Sequence, residues 1–264
     1  MPEQVLEGLA LAVRPLGEND RLLTLLSEEE GLTRLAVPGA RRPRSRMAAA
    51  VPLTHLRVLS GGRRGLRRVR QLQVVRHYGD LGQRLEALAA AQALAELCLA
   101  VVPADAPTPG ILPDLLLHLG RLEEVVRDRS ERVEALAVGV QGAVHLLALG
   151  GYALPLQHCC RSGAPLTPPL GDWAWRCSLL SQEGLAIGVL PGAEQQLNAS
   201  ELALLQRLLR AAPPRRRDGR LMGPEAAWLH LLAVVEAWCG QHLGRIPRAF
   251  RLLRSGFETM PARQ

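Results

Sequence analysis

The chain contains no lysine: all 32 basic residues among its 264 are arginine. No P-loop lysine can hold a phosphate, no lysine can form a Schiff base, and no kinase-type Lys–Glu pair can exist. A compositional bias toward Arg, Ala, Leu and Gly accounts for the absence. Its chemical consequence stands regardless: every positive charge is a permanent, planar fork of donors. Aromatic residues are nearly as scarce, with two Phe, two Tyr and four Trp, and none precedes Tyr78. Cysteine is sparse and unpatterned: Cys98, Cys159, Cys160, Cys177 and Cys239 make an odd set. The opening Met1-Pro2-Glu3-Gln4 leads into no basic segment followed by an apolar run, so no signal peptide is read. Without one, disulfides are not expected and a cytoplasmic location is. The apolar windows near 87–102 and 133–151 are broken by Gln92 and Glu96, and by Glu134, Gln141 and His145. They read as buried helices rather than membrane spans, so no membrane partner is expected.

Acid is missing from one part of the chain only. Residues 1–85 hold 15 Arg and 8 acids, whereas residues 86–264 hold 17 of each. Between positions 34 and 76 there are 12 Arg and no Asp or Glu. A surface that is merely solvated usually mixes signs, so this block points to a polyanion partner. The same region has no aromatic ring. Sequence-tolerant single-strand binders usually stack bases on aromatic rings, worth about 1–3 kcal/mol per base. Here the main term must be phosphate contact, which implies salt-sensitive binding indifferent to sequence and tolerant of duplex as well as single strands.

The first 80 or so residues read as five short strands: 5–13, 21–26, 32–37, 51–59 and 66–75. Gly17-Glu18-Asn19-Asp20 is a turn, residues 38–46 are an Arg-rich loop broken by two prolines, and residues 60–65 are a tight connection. The pattern predicts an α+β chain. A five-stranded oligonucleotide-binding (OB)-like barrel over 1–79 precedes a helical domain over 80–264, with an irregular knuckle insert at 152–190. Helices are expected near 81–102, 111–127, 131–149, from a cap at Asn198 or Ser200 to about 209, and over 224–243. The tail from Gly244 to Arg254 reads as a basic extension or a cap for the last helix.

Several motifs resemble the RecO family of bacterial recombination mediators. They are Gly17-Glu18-x-Asp20-Arg21-Leu22-Leu23, Gly31, Gly39-Ala40-Arg41-Arg42-Pro43-x-Ser45-Arg46 and Pro52. Looser matches are Ala95-Glu96-Leu97, Cys159-x-x-x-Gly163-x-Pro165-Leu166 and His242-Leu243-Gly244-Arg245. The resemblance implies a protein that binds single- and double-stranded DNA and anneals complementary strands. It also implies work with RecR and with the acidic, aromatic-ended C-terminal tail of the single-strand binding protein (SSB), and indirectly the loading of the recombinase RecA.

The residues expected to contact DNA are Arg34, Arg41, Arg42, Arg44, Arg46, Arg63, Arg64, Arg67 and Arg68, since forked guanidinium groups suit phosphate oxygens. Arg57 and Arg70 read instead as covers for barrel edges. Glu18 and Asp20 read as turn-formers, with Asp20 bonding backbone amides and Arg21 pairing locally. RecO relatives often carry two Cys-x-x-Cys pairs in the knuckle, a zinc frame. Here the pairs read Cys159-x-x-Ser162 and Cys177-x-x-Leu180, so no zinc is expected; Trp173, Trp175 and Leu166 are expected to shape the lobe instead. The histidines look scattered, with no ligand spacing on a shared motif. No hydrolase, Rossmann or metalloprotease motif is present, so the expectation is a protein that is not an enzyme and needs no cofactor. The competing readings are an OB-barrel adaptor for RNA or ribosomal partners and an unrecognised hydrolase.

Overall fold

The first strand has two faces, and both are buried. In the computed structural model, which describes residues 3–62 and 66–257, β1 (Glu3–Leu16) turns Leu6 and Ala10 into a barrel. Its Leu9 and Leu11 face a helical core instead. A register shift between Ala10 and Ala12 lets one strand serve both sides. The start of β1 pairs with β4 (Thr54–Gly61), and its continuation pairs with β2 (Asp20–Ser27). β3 (Gly31–Val37) joins β2, and β5 (Arg67–His77) joins β4. A short parallel contact of Leu35 with Arg67 and Ala36 with Arg68 closes the ring in the order β1-β2-β3-β5-β4. This is the OB-like barrel that the strand pattern predicts. Leu23, Leu25, Leu35, Val37, Leu56, Val58 and Val69 alternate inward and fill it. At Gly8 the neighbouring strand comes so close that a Cβ would stand 2.1 Å from the Leu26 carbonyl oxygen. Only glycine fits there.

The helical part is built on α1 (Leu85–Val101), α2 (Ile111–Arg127), α3 (Arg132–Leu149) and α5 (Glu225–Leu243). Apolar residues cover most of the circumference of α1 and α3, as suits helices packed on several sides. α3 is long and apolar enough to cross a membrane, but it is packed against α1, α2 and α5. The insert after Gly150-Gly151 is more regular than its prolines suggest. β6 (Arg176–Leu180) lies between β7 (Gly184–Ile187) and β8 (Gln195–Asn198) in an antiparallel sheet. Trp173 does not shape this lobe, being 85% exposed, whereas Leu166 is buried and Trp175 packs partly on the core. α4 (Ala199–Arg207) starts at Asn198, whose side chain accepts from the Glu201 amide while the Glu201 carboxylate accepts from the Asn198 amide. The tail expected as a basic extension forms a helix, α6 (Arg248–Ser255), packed on α1 through buried Phe250 and Leu253.

Barrel and helices are joined through backbone and core alike. The Leu32 amide donates to the Pro103 carbonyl at 3.1 Å, and the Thr108 amide to the Glu28 carbonyl at 3.0 Å. Leu9, Leu11, Leu26, Leu53 and Tyr78 belong to the helical core rather than to the barrel's own. Gly31 sits at this seam with φ +61°, where a Cβ would meet the Ala106 carbonyl oxygen at 2.4 Å.

Candidate nucleic-acid interface

The Arg-rich segment is a clamped loop. At its entry the Asp20 carboxylate accepts from the Gly39 amide at 2.8 Å. At its exit the Arg21 guanidinium donates to the carbonyls of Ala48 (3.0 Å) and Ala50 (3.1 Å). Two consecutive residues of one turn therefore hold both ends of the loop, so Arg21 acts at a distance and not locally. Arg41 fixes the middle: its amide donates to the Asn19 carbonyl and its guanidinium to the Gly17 carbonyl. Ser45 caps a 3-10 turn over Arg46–Ala49 by accepting from the Met47 amide. Ala40, Ala50 and Met47 anchor the underside in the barrel core. With the apolar side chains turned in, Arg41, Arg42, Arg44 and Arg46 are all exposed.

Two other expected residues extend this surface over the strands. Arg34 on β3 is exposed opposite Thr24, and Arg68 on β5 is exposed opposite Ala36. The same cross-strand row, Arg14–Leu22–Ala36–Arg68, adds Arg14, which sequence reasoning missed. Arg14 precedes the acid-free block; its only signal was its place in the alternation of β1. Among the described residues, no acid pairs with Arg14, Arg34, Arg41, Arg42, Arg44, Arg46 or Arg68.

The other described arginines of the block are neutralised. Arg67 forms an ion pair with Glu30 and also donates to the Gln4 side chain at 2.7 Å. Its side chain is only 14% exposed, so it plugs the barrel rather than lying on the surface. The Arg67 guanidinium holds the Glu30 carboxyl below its ordinary range, against the opposing effect of burial. Arg57 bonds Glu7, its direct partner on β1, and Arg70 on β5 bonds Glu3 on β1; because the barrel is closed these are cross-strand pairs on its wall and not the edge covers expected. Arg76 pairs with Glu123 on α2 and lies over the Tyr78 ring, forming a strut between barrel and helices. Arg63 and Arg64 lie outside the described residues.

A clamped basic loop on an OB-like barrel, followed by helices with a knuckle insert, matches two family models in tandem. Recombination protein O N terminal covers residues 1–78, and Recombination protein O C terminal covers residues 82–250. The chain belongs to the RecO family. It is 61% identical over 257 residues to the DNA repair protein RecO of Synechococcus sp. (strain WH7803), covering 97% of this chain and 95% of that one. It is 62% identical over 253 residues to the DNA repair protein RecO of Prochlorococcus marinus (strain MIT 9303), covering 96% and 95%. A more distant relative, the DNA repair protein RecO of Nostoc sp. (strain PCC 7120 / SAG 25.82 / UTEX 2576), is 30% identical over 288 residues, covering 95% of each chain.

The zinc frame of RecO relatives does not fit the residues of this knuckle. Ser162 occupies the place of a second cysteine, and its hydroxyl accepts from the Ala164 amide at 3.3 Å. The Ile187 amide donates to the Cys159 sulfur at 3.4 Å. Burial pushes the Cys159 thiol up, but the polar groups of Ser162, Ile187 and Arg161 around the sulfur outweigh it and bring it down to about 7. Burial pushes Cys177 up to about 12.

Elsewhere the helical part offers two features. An apolar cavity of about 660 Å³ is lined by Leu170, Trp173, Leu204 and Met222 together with exposed Arg207 and Arg216. The histidines are also less scattered than they look. Asp114 and His118 are one turn apart on α2, and His145 of α3 completes a cluster with them. The signal, Asp-x-x-x-His, was present in the sequence. The arginines of the tail divide: Arg245 donates to the Leu99 carbonyl and Arg254 pairs with Glu236, whereas Arg248 and Arg251 are exposed.

Proposed function

We propose that this RecO-family chain is a non-enzymatic DNA-binding mediator of recombinational repair, acting in the cytoplasm. It holds single- and double-stranded DNA by backbone phosphates, anneals complementary strands and helps to load RecA onto SSB-coated strands, with RecR as a partner. The observation that carries this reading is the clamped loop with Arg41, Arg42, Arg44 and Arg46 exposed and without acidic partners. Permanent guanidinium forks fixed on a barrel surface suit phosphate oxygens. The barrel has no exposed aromatic ring to compete for bases, so bound bases stay available for pairing. The cavity lined by Leu170, Trp173 and Leu204 with Arg207 and Arg216 suits an acidic peptide ending in an aromatic residue, the chemistry of the SSB tail.

The deciding experiment is annealing of complementary DNA strands precoated with SSB, with and without the chain. Faster annealing that disappears in the quadruple variant Arg41→Ala, Arg42→Ala, Arg44→Ala, Arg46→Ala is the expected result. No acceleration by the wild-type chain would overturn the proposal, and preferential capture of RNA over DNA in competition would favour an RNA adaptor instead.

A further inference from the structure

We propose that Asp114, His118 and His145 bind a divalent transition-metal ion such as zinc between α2 and α3. The three side chains offer ligand atoms that lie within 4.8 Å of one another. His118 Nε2 is 3.1 Å from His145 Nδ1. Asp114 Oδ2 is 3.7 Å from His118 Nε2, and Asp114 Oδ1 is 3.4 Å from His145 Nδ1. A tetrahedral ion with ligand bonds of ~2.0–2.1 Å has ligand atoms ~3.3 Å apart. The observed separations bracket that edge length, so an ion enters with small adjustments.

Burial pushes the His145 ring down, but Asp114 outweighs it and raises the ring above its ordinary value, and a bound ion would take the place of the proton held there. His145 Nε2 lies 2.6 Å from the Leu208 carbonyl, which can only accept. Nε2 therefore carries a proton, and Nδ1 is the nitrogen that points inward. There it meets the Asp114 carboxylate and His118 Nε2. Asp114 Oδ2 is buried with no hydrogen-bond partner, and so is His118 Nδ1 on a side chain that is 0% exposed. A buried carboxylate oxygen without a donor is costly unless something positive stands beside it. A backbone carbonyl that fixes the ring of a ligand histidine is the usual outer support of a metal site.

The surroundings agree. Arg121 is turned away, donating to Gln141 Oε1 and to the Ala211 carbonyl. Cys98 on α1 is buried nearby, and its thiol is raised by burial and by Asp114, so it stays protonated. α3 carries Gly142 where the His118 ring lies; a Cβ there would be 3.0 Å from the ring's Cγ. Asp114 and His145 are partly exposed, which gives an ion an entry and leaves a fourth position for water. A bound ion would tie α2 and α3 to the end of α4 through Leu208.

The test uses the full chain stripped of metal, with cobalt(II) and zinc(II) as probes. One equivalent of cobalt is expected to give visible ligand-field bands without a thiolate charge-transfer band. His145→Gln and Asp114→Asn should each weaken binding more than about tenfold, while Cys159→Ser should bind as the wild type does. A thiolate band that vanishes in Cys159→Ser would move the site to the knuckle and overturn the proposal. So would a folded wild-type chain that binds no ion, because a shared proton would then fill the trio. Where a variant folds poorly, the wild-type histidine 15N spectrum decides: zinc should shift His118 Nε2 and His145 Nδ1, and unchanged resonances refute the site.

Discussion

An arginine's role in this barrel is set by what stands across from it. Arg57, Arg67, Arg70 and Arg76 each face an acid, whereas Arg34, Arg41, Arg42, Arg44, Arg46 and Arg68 do not. If the six of these that lack an acidic partner each neutralise one phosphate, log affinity for single strands falls with log salt at a slope near about −4. The quadruple loop variant should bring that slope to about −1 while melting like the wild type; an unchanged slope would remove the loop from the interface. Arg67 should behave in the opposite way. Its partner Glu30 is held below the ordinary glutamate pKa of 4.5, so the pair stabilises the fold above that pH. The stabilisation is lost as pH falls through the lower folded value. Urea midpoints measured from about pH 7 down to about pH 3 should show this acid loss in the wild type and a flatter profile in Arg67→Ala. The acid-free block was legible in the sequence, but this division within it was not. The acids that neutralise Arg57 and Arg70 are Glu7 and Glu3, 50 and 67 positions away, and only barrel register brings them across.

Among the elements, the loop over residues 38–50 shows most directly how local structure makes a site. Arg44 has φ +57°, and Gly39 has φ +63°. Holding a non-glycine residue in the left-handed region costs about 1 kcal/mol or more, so the loop needs its clamps. Asp20→Ala removes the bond to the Gly39 amide. The loop amides should then exchange with solvent faster, and DNA affinity should fall although every arginine remains. Asp20→Asn keeps an acceptor and should restore most of both. Unchanged exchange across residues 39–50 in Asp20→Ala would mean that the clamp is not what orders the loop. The turn chemistry of Gly17–Arg21 was readable; its role as a clamp was not, because Arg21 reaches Ala48 and Ala50 through space. Strongly periodic helices such as α2 and α3 were legible nearly to the residue. α6 was not, because it is short and its three arginines masked the spacing of Phe250 and Leu253, whose burial depends on α1.

At the scale of the molecule, the barrel and the helices are not independent bodies. Leu9, Leu11, Leu26, Leu53 and Tyr78 place barrel residues in the helical core, and Gly31 brings the β2–β3 turn within bonding distance of residues 103–108. The arginine loop is thereby mounted rigidly on the part that carries the apolar cavity. The expected consequence is a shared unfolding transition. Tryptophan fluorescence reports only on the helical part, since every Trp lies after residue 172, and hydrogen exchange of β2–β4 amides reports on the barrel. The two should lose structure at one urea concentration in the wild type. Gly31→Ala puts a Cβ 2.4 Å from the Ala106 carbonyl oxygen at a φ that disfavours alanine, a cost of about 1–3 kcal/mol placed at the seam. In that variant the barrel amides should open at lower urea than the tryptophans report. Barrel and helices that still melt together in Gly31→Ala would show that the shared apolar core, and not this turn, couples them; separate transitions in the wild type would refute the coupling altogether.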